Sequence, residues 1–237
     1  SGNDDSFNAV ISGDGRWVAF ESAASNLISG QINFNNDSDV FLFDATTGDV
    51  ELISHAGDFV TTGDFPSFDP VISRNGAFVA FESPARNLGF NVGAPTFNIY
   101  RYAVATGELA LISGAEGSAT DGANDNSVDP VISANGQSIA FESEATNLIT
   151  AQADDNQEPD VFLFNTGTIL LASHIGDDMT SGNGESLDPN LSANGFVVIF
   201  SSEAGNLDGD AGDGNLTNDA FRFDTNAEGV IFSDGFE

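Results

Sequence analysis

Four stretches of the chain align without a gap: NAVISGDGRWVAFESAASNL, DPVISRNGAFVAFESPARNL, DPVISANGQSIAFESEATNL and DPNLSANGFVVIFSSEAGNL. Their first serines, Ser12, Ser73, Ser133 and Ser192, lie 61, 60 and 59 positions apart. The second half of each repeat recurs as well, as SDVFLFDATTGDVELIS, FNIYRYAVATGELALIS, PDVFLFNTGTILLAS and NDAFRFDTNAEGVIFS. A period near 60 residues means that one supersecondary unit is copied in tandem. Such a unit buries its apolar faces against its neighbours rather than alone.

Each repeat predicts four short strands. The first ends in a run such as Val131-Ile132-Ser133, and the second is of the Val79 to Ser83 type. The third centres on Val40-Phe41-Leu42-Phe43 and the fourth on Glu51-Leu52-Ile53-Ser54. Between the first two strands stand Asp14-Gly15, Asn75-Gly76, Asn135-Gly136 and Asn194-Gly195, a pairing that signals a two-residue hairpin with positive φ. Thr47-Gly48 and Thr106-Gly107 turn the third strand into the fourth. No stretch carries a helical apolar period. Tandem four-stranded meanders that bury both faces form a β-propeller. The expectation is therefore one all-β domain over 1–237, with blades of about 60 residues at approximately 5–60, 61–120, 121–180 and 181–237. Phe20, Phe81, Phe141 and Phe200 share one position and Leu27, Leu88, Leu148 and Leu207 another, and both sets are assigned to packing between blades. Every repeat runs from its first strand to its fourth, which leaves no spare strand to close a ring. Closure within one chain, an eight-bladed ring of two chains and an open array all fit, and the first is favoured.

The run Asp14-Gly15-Arg16-Trp17-Val18-Ala19-Phe20-Glu21-Ser22, followed by Asn-Leu, Asp39-Val40-Phe41 and Thr-Gly, resembles the TolB-type WD40-like propeller repeat, and more closely its secreted bacterial version. The resemblance covers nearly the whole chain. It implies a propeller that serves mostly as an interaction scaffold, and relatives of this type with six or more blades.

Thirty-seven acidic residues face five Arg and no Lys, a formal net charge of -32. That balance excludes a nucleic-acid partner, which needs a basic face, and disfavours anionic membranes. No apolar run is long enough to span a membrane as a helix. No signal segment precedes Ser1, so an exported chain would be the mature one. The 40% hydrophobic content and 21 Phe argue for a folded chain despite the charge. Counter-ions, bound cations or a saline habitat must relieve the self-repulsion.

Carboxylates concentrate in the connectors between second and third strands. The fourth offers Asp208, Asp210, Asp213, Asn215 and Asp219; the third Asp154, Asp155, Asn156, Glu158 and Asp160; the first Asn33, Asn35, Asp37 and Asp39. Alternating oxygen-bearing side chains separated by small residues suit Ca²⁺, a hard cation that takes six to eight oxygens. The second connector, from Gly89 to Pro95, has lost its acids. Solvated acidic turns are the plainer alternative. Asp69, Asp129 and Asp188, each before Pro, are expected to cap turns. Glu21, Glu82 and Glu142 recur in the second strand, with Ser201 in their place in the fourth repeat. They are expected to face water, with a metal shell or a central channel as the alternative.

Catalysis finds little support. His55 and His174 are echoes of one repeat position, no G-x-S-x-G motif accompanies them, and Cys is absent. A pair of carboxylates could still serve glycan hydrolysis. The reading is a non-enzymatic secreted, cell-surface or periplasmic scaffold, stabilised by Ca²⁺, whose partner is another protein or further copies of itself, fibres included. A calcium-dependent glycan-binding module is the alternative, although Trp17, Tyr100 and Tyr102 are the only residues of their types.

Overall fold

The computed structural model describes residues 1–93, 95–150, 152–154, 156–176, 179–207 and 217–226, and the backbone of 232–233. They build four antiparallel sheets of four strands, each ordered as the chain runs. Sheet I holds β1 (Ser6–Ile11), β2 (Trp17–Ser22), β3 (Asp39–Asp44) and β4 (Val50–Leu52). Sheet II holds β5 (Phe68–Ile72), β6 (Phe78–Ser83), β7 (Asn98–Ala103) and β8 (Glu108–Leu111). Sheet III holds β9 (Ser127–Ile132), β10 (Ser138–Ser143), β11 (Asp160–Asn165) and β12 (Thr168–Leu171). A small hairpin of β13 (His174–Ile175) and β14 (Thr180–Ser181) follows. Sheet IV holds β15 (Ser186–Leu191), β16 (Val197–Ser202), β17 (Asp219–Asp224) and β18 (Phe232–Ser233).

The turn between first and second strands differs from the two-residue hairpin expected of Asn-Gly. Ser12 pairs with Trp17 across four residues, its carbonyl accepting from the Gly15 N–H at 2.9 Å. Only the glycine adopts positive φ, at 76°, 68°, 74° and 78° in the four sheets. The preceding Asp or Asn works through its side chain instead. Asn135 Oδ1 accepts from the Gln137 N–H at 3.0 Å and from the Ser133 hydroxyl at 2.8 Å, and Asp14, Asn75 and Asn194 do the same in their own turns. A side-chain oxygen that caps its own backbone favours this wider turn. The fourth strand also leaves the ladder earlier than expected: Ile53 and Ser54 both donate to the Val40 carbonyl, and the Ser54 hydroxyl accepts from the Val40 N–H.

Alternation along the second strand sends successive residues to opposite faces. Ala19, Ala80 and Ala140 face the following sheet, whereas Phe81, Phe141 and Phe200 face the preceding one. Each of these Phe rings also stacks on an aromatic of the neighbouring third strand, Tyr100, Phe162 or Phe221, with centroids 5.7–5.9 Å apart. The packing role expected of the Phe and Leu sets holds for Phe81, Phe141 and Phe200, and for Leu88, Leu148 and Leu207, all buried in joints between sheets. Burying one such Phe contributes roughly 2–3 kcal/mol.

Three joints of one design link the sheets in series. Gly13 N–H donates to the Arg74 carbonyl (2.8 Å), Asn75 N–H to that of Ala134 (3.1 Å) and Ala134 N–H to that of Ala193 (2.9 Å). The residue that opens β2, β6 or β10 closes on the turn glycine of the next sheet: Trp17 on Gly76, Phe78 on Gly136, Ser138 on Gly195. Among the described residues no such joint forms between sheet IV and sheet I, and the place of a Cβ on Gly15 meets nothing within 4 Å. Ring closure within one chain, the arrangement favoured from the sequence, is not made by contacts of this kind among the described residues.

Gly136 and Gly15 separate the cost of the turn from the cost of the joint. Gly15→Ala should lose about 1–2 kcal/mol from left-handed backbone alone. Gly136→Ala would bring a Cβ within 2.4 Å of the Phe78 ring. It should lose about 1–3 kcal/mol more through overpacking. Urea unfolding of the two variants measures the difference, and equal losses would deny that the joint is close-packed there.

Candidate functional site

The first strands of all four sheets line one groove of about 440 Å³, whose walls include Asn8, Asp69, Asp129, Asp188 and Glu142. A β-bulge breaks the register of β1, β5, β9 and β15 at this level. The bulge sets Asn8, Asp69, Asp129 and Asp188 at φ of 48°, 49°, 53° and 55°. Asn and Asp are the non-glycine residues that best tolerate that conformation. Sequence reasoning placed these aspartates in turns at strand entrances. They lie inside the strands instead, because the extra residue of a bulge, like a turn, favours a short polar side chain.

The bulge aims each aspartate N–H at the glutamate of the preceding sheet. Asp69 N–H donates to Glu21 Oε1 (2.9 Å), Asp129 N–H to Glu82 Oε2 (2.9 Å) and Asp188 N–H to Glu142 Oε1 (2.6 Å). The Asn8 amide donates to Glu21 Oε1 at 2.9 Å. The expectation that these glutamates face water is overturned: Glu21, Glu82 and Glu142 are 1%, 7% and 7% exposed. They alternate with Phe and so share the alanine face, which the next sheet covers.

Burial pushes the Glu82 carboxyl up to about 7, with the charges of Asp69, Asp129 and Glu21 adding to it and the Asp129 N–H opposing. Glu142 rises to about 7, first through burial and then through Asp129, Asp188 and Glu185. Glu21 and Asp129 are raised for the same first reason. Carboxylate oxygens of Asp69, Glu82 and Asp129 lie within 4.8 Å of one another, close enough to share a proton or a cation. Among the described residues no Arg and no His lines the groove.

The connector residues expected to hold calcium divide into four groups. Asp208, Asp210, Asp213 and Asn215, with Asp155, lie outside the described residues. Asn33, Asn35, Asp37, Asp154 and Asn156 use an oxygen on a backbone N–H of their own loop. Glu158 is exposed and Asp219 half-buried at the start of β17. Asp39 and Asp160 are buried at the start of β3 and β11, where the Ser54 and Ser173 hydroxyls donate to them at 3.1 and 2.7 Å. Asn98 takes that position in sheet II and accepts from Ser113 and from the Ala123 N–H. Burial raises Asp39 to about 8 and Asp160 to about 7. In the first connector, Asp39 Oδ2 and the neighbouring Ser38 hydroxyl are buried with no hydrogen-bond partner.

Other candidates are spent on packing. Tyr100 and Tyr102 are 0% and 2% exposed. Trp17 is half-buried beneath the Arg16 guanidinium, 4.5 Å from its ring centroid. His55 is buried against Phe59, and burial lowers its pKa.

No family model matches the chain, and no curated protein matches it in sequence. Solved structures do. A TolB protein from Agrobacterium tumefaciens is similar over 95% of this chain and 63% of its own, at 17% identity and a TM-score of 0.52. The β-propeller domain of the Trilobed protease from Pyrococcus furiosus, described as having an open velcro topology, is similar over 97% of this chain and 57% of its own, at 10% identity and a TM-score of 0.53. An oligogalacturonate lyase in complex with manganese is similar over 97% of this chain and 53% of its own, at 10% identity and a TM-score of 0.56. At these identities the likeness carries the fold alone. The fold is that of a β-propeller of the TolB kind, and the chain spans less than two thirds of each of these proteins.

The raised glutamates give stability a direction in pH. Folded Glu82 and Glu142 hold their protons to about pH 7, whereas the unfolded side chains release theirs near 4.5. Their contribution is complete below the unfolded value and is lost as pH rises through the folded one. The urea midpoint should fall between about pH 4.5 and 7, and Asp39, raised to about 8, should carry the fall on to about pH 8. Glu82→Gln, which keeps an acceptor for the Asp129 N–H, should flatten that slope; an unchanged slope would place the protons elsewhere.

Proposed function

We propose that the chain is a non-enzymatic, secreted, cell-surface or periplasmic propeller scaffold, each four-stranded sheet serving as one blade, whose work is to bind protein through the faces that end the arc. The observation that carries this reading is the pair of uncovered apolar blade faces, with Ile11 62% and Ile199 51% exposed, whereas Ile72 and Ile132, and Ala80 and Ala140, their equivalents in the inner sheets, pack into joints. The groove favours no catalytic alternative. Its glutamates each receive a bulge N–H, and among the described residues neither an Arg nor a Ser–His pair lines it. The glycan-binding alternative needs exposed aromatic platforms, and both tyrosines are buried. A panel of oligosaccharide, ester and peptide substrates should yield no product. Turnover that Glu82→Gln removes would overturn the scaffold reading.

Calcium is the cation this reading adds, held in the acidic connectors. The first connector fits it best, since the unpartnered Asp39 Oδ2 and Ser38 hydroxyl are hard oxygen donors already buried and in want of a partner. A bound divalent cation would keep Asp39 ionised in surroundings that otherwise favour the protonated acid. Excess chelator should lower the melting temperature, and calcium rather than magnesium should restore it. Asp39→Asn repeats the side chain that sheet II already carries at Asn98, so the variant should fold and lose most of the calcium response. A variant that melts like the parent in both calcium and chelator would make Asp39 a buried neutral acid and nothing more.

A further inference from the structure

Sheet IV ends the arc with the face that elsewhere seats a following sheet, and sheet I begins it with the face that elsewhere seats a preceding one. Ala19, Ala80 and Ala140 are fully buried by the next sheet, whereas their equivalent Ile199 is half exposed. On the other end Ile11 is exposed, although its equivalents Ile72, Ile132 and Leu191 pack into joints. Phe20 is half-buried where Phe81, Phe141 and Phe200 are covered.

The two ends depart from the repeat in matched ways. Each internal joint brings a Glu from one sheet onto an Asp of the next. At the ends the Glu position holds Ser201 and the Asp position holds Asn8, so both partners of the pair are neutral. Volume is exchanged rather than lost. Ile199 is larger than the Ala of the other sheets, and Ala220, on the same face, is smaller than Val40, Ile99 and Val161. Arg222 stands where Arg101 does in sheet II. The Arg101 guanidinium crosses its joint, donating to the Gly136 carbonyl at 3.0 Å and lying 5.5 Å from the Phe164 ring of sheet III. The counterparts on sheet I are Gly15 and Phe43, and among the described residues Gly15 is the one turn glycine of the four that no residue of another sheet approaches.

We propose that these ends are the two halves of a fourth joint made between two copies of the chain. Sheet IV of each copy seats sheet I of the other, and two arcs close a ring of eight sheets. The proposal rests on the scaffold reading and supplies its partner, a second copy. Two observations select that occupant. The same joint already occurs three times within the chain, so the ends are two parts of one established interface. An inserted blade of the ordinary repeat would bring Glu and Asp to the seams, whereas Ser201 and Asn8 suit ends that meet each other. A head-to-tail contact must close or polymerise. The shared groove of all four first strands shows an arc that curves on itself, and eight blades lie within the range of closed propellers. Removing two carboxylates from each seam also lessens repulsion between chains that each carry -32.

Light scattering on a sizing column tests this with the full chain. The parent should run at twice the 24.6 kDa of one chain, and more completely in about 1 M salt, where the screening length is about 3 Å. Ile199→Asp and Ile11→Asp alter residues exposed in the single chain, so both should keep the parent's circular dichroism and yet run as single chains. Mixed together they should recover the doubled mass, because one seam between them is unaltered. A single-chain mass for the parent at every concentration and salt overturns the proposal, as does growth beyond two copies. So does a dimer that only one of the two variants disrupts, the mark of like faces meeting. A parent that stays single leaves the scaffold reading to its own substrate test, so the two fail separately.

Discussion

Each internal joint sets a phenylalanine of one sheet into the apolar face of the sheet before it, and at the groove end of that face a buried glutamate receives a backbone N–H from across the joint. The two parts depend on each other. Apolar packing alone is non-directional and would let neighbouring sheets slide. The Glu–N–H bond fixes their register, and its carboxyl tolerates burial only because that donor meets it. The donor exists because a bulge takes the aspartate N–H out of its own ladder, and the bulge needs a residue at ease with positive φ. Asp69, Asp129 and Asp188 therefore matter first for their backbone and second for their side chains.

That second role has a cost. The aspartate carboxylates fall beside the glutamates they help to hold, and among the described residues no basic side chain lines the groove to balance them. Burial and like charge then push Glu82 and Glu142 toward keeping a proton at neutral pH. The groove is thus an acidic cluster produced by the way the blades are joined. Its carboxyl oxygens at Asp69, Glu82 and Asp129 lie close enough to share a proton.

The repeat, the strand pattern and the packing of Phe81, Phe141 and Phe200 were legible in the sequence because period-2 alternation and tandem copying are global signals. The bulge was not, since Asp-Pro at the head of a strand reads as a turn and the two share one local chemistry. The burial of Glu21, Glu82 and Glu142 could have been found. Counting alternation from Phe81 puts Glu82 beside Ala80, on a face too small and apolar to be solvated. The connectors read two ways for a different reason. Asn33, Asn35, Asp37 and Asp154 converge their oxygens on loop N–H groups, and a turn that caps itself uses the same spacing as a loop that wraps a cation. Sequence spacing alone does not distinguish them; an unpartnered oxygen such as Asp39 Oδ2 does.

Internal repetition also lets three copies act as controls for the fourth. If sheet IV merely faced solvent, relaxed constraint would replace its outer apolar residues with polar ones. Asn190, where the other sheets carry Val10, Val71 and Val131, follows that course. Ile199 runs against it, placing a large aliphatic side chain where the buried copies have alanine. An exposed isoleucine forgoes the burial that would stabilise it and offers solvent nothing in return. Ala220 withdraws volume from the same face, and Ser201 with Asn8 withdraws charge from opposite ends of the chain. Changes that compensate one another across one face, and across two ends that do not touch within the chain, describe a surface shaped by contact.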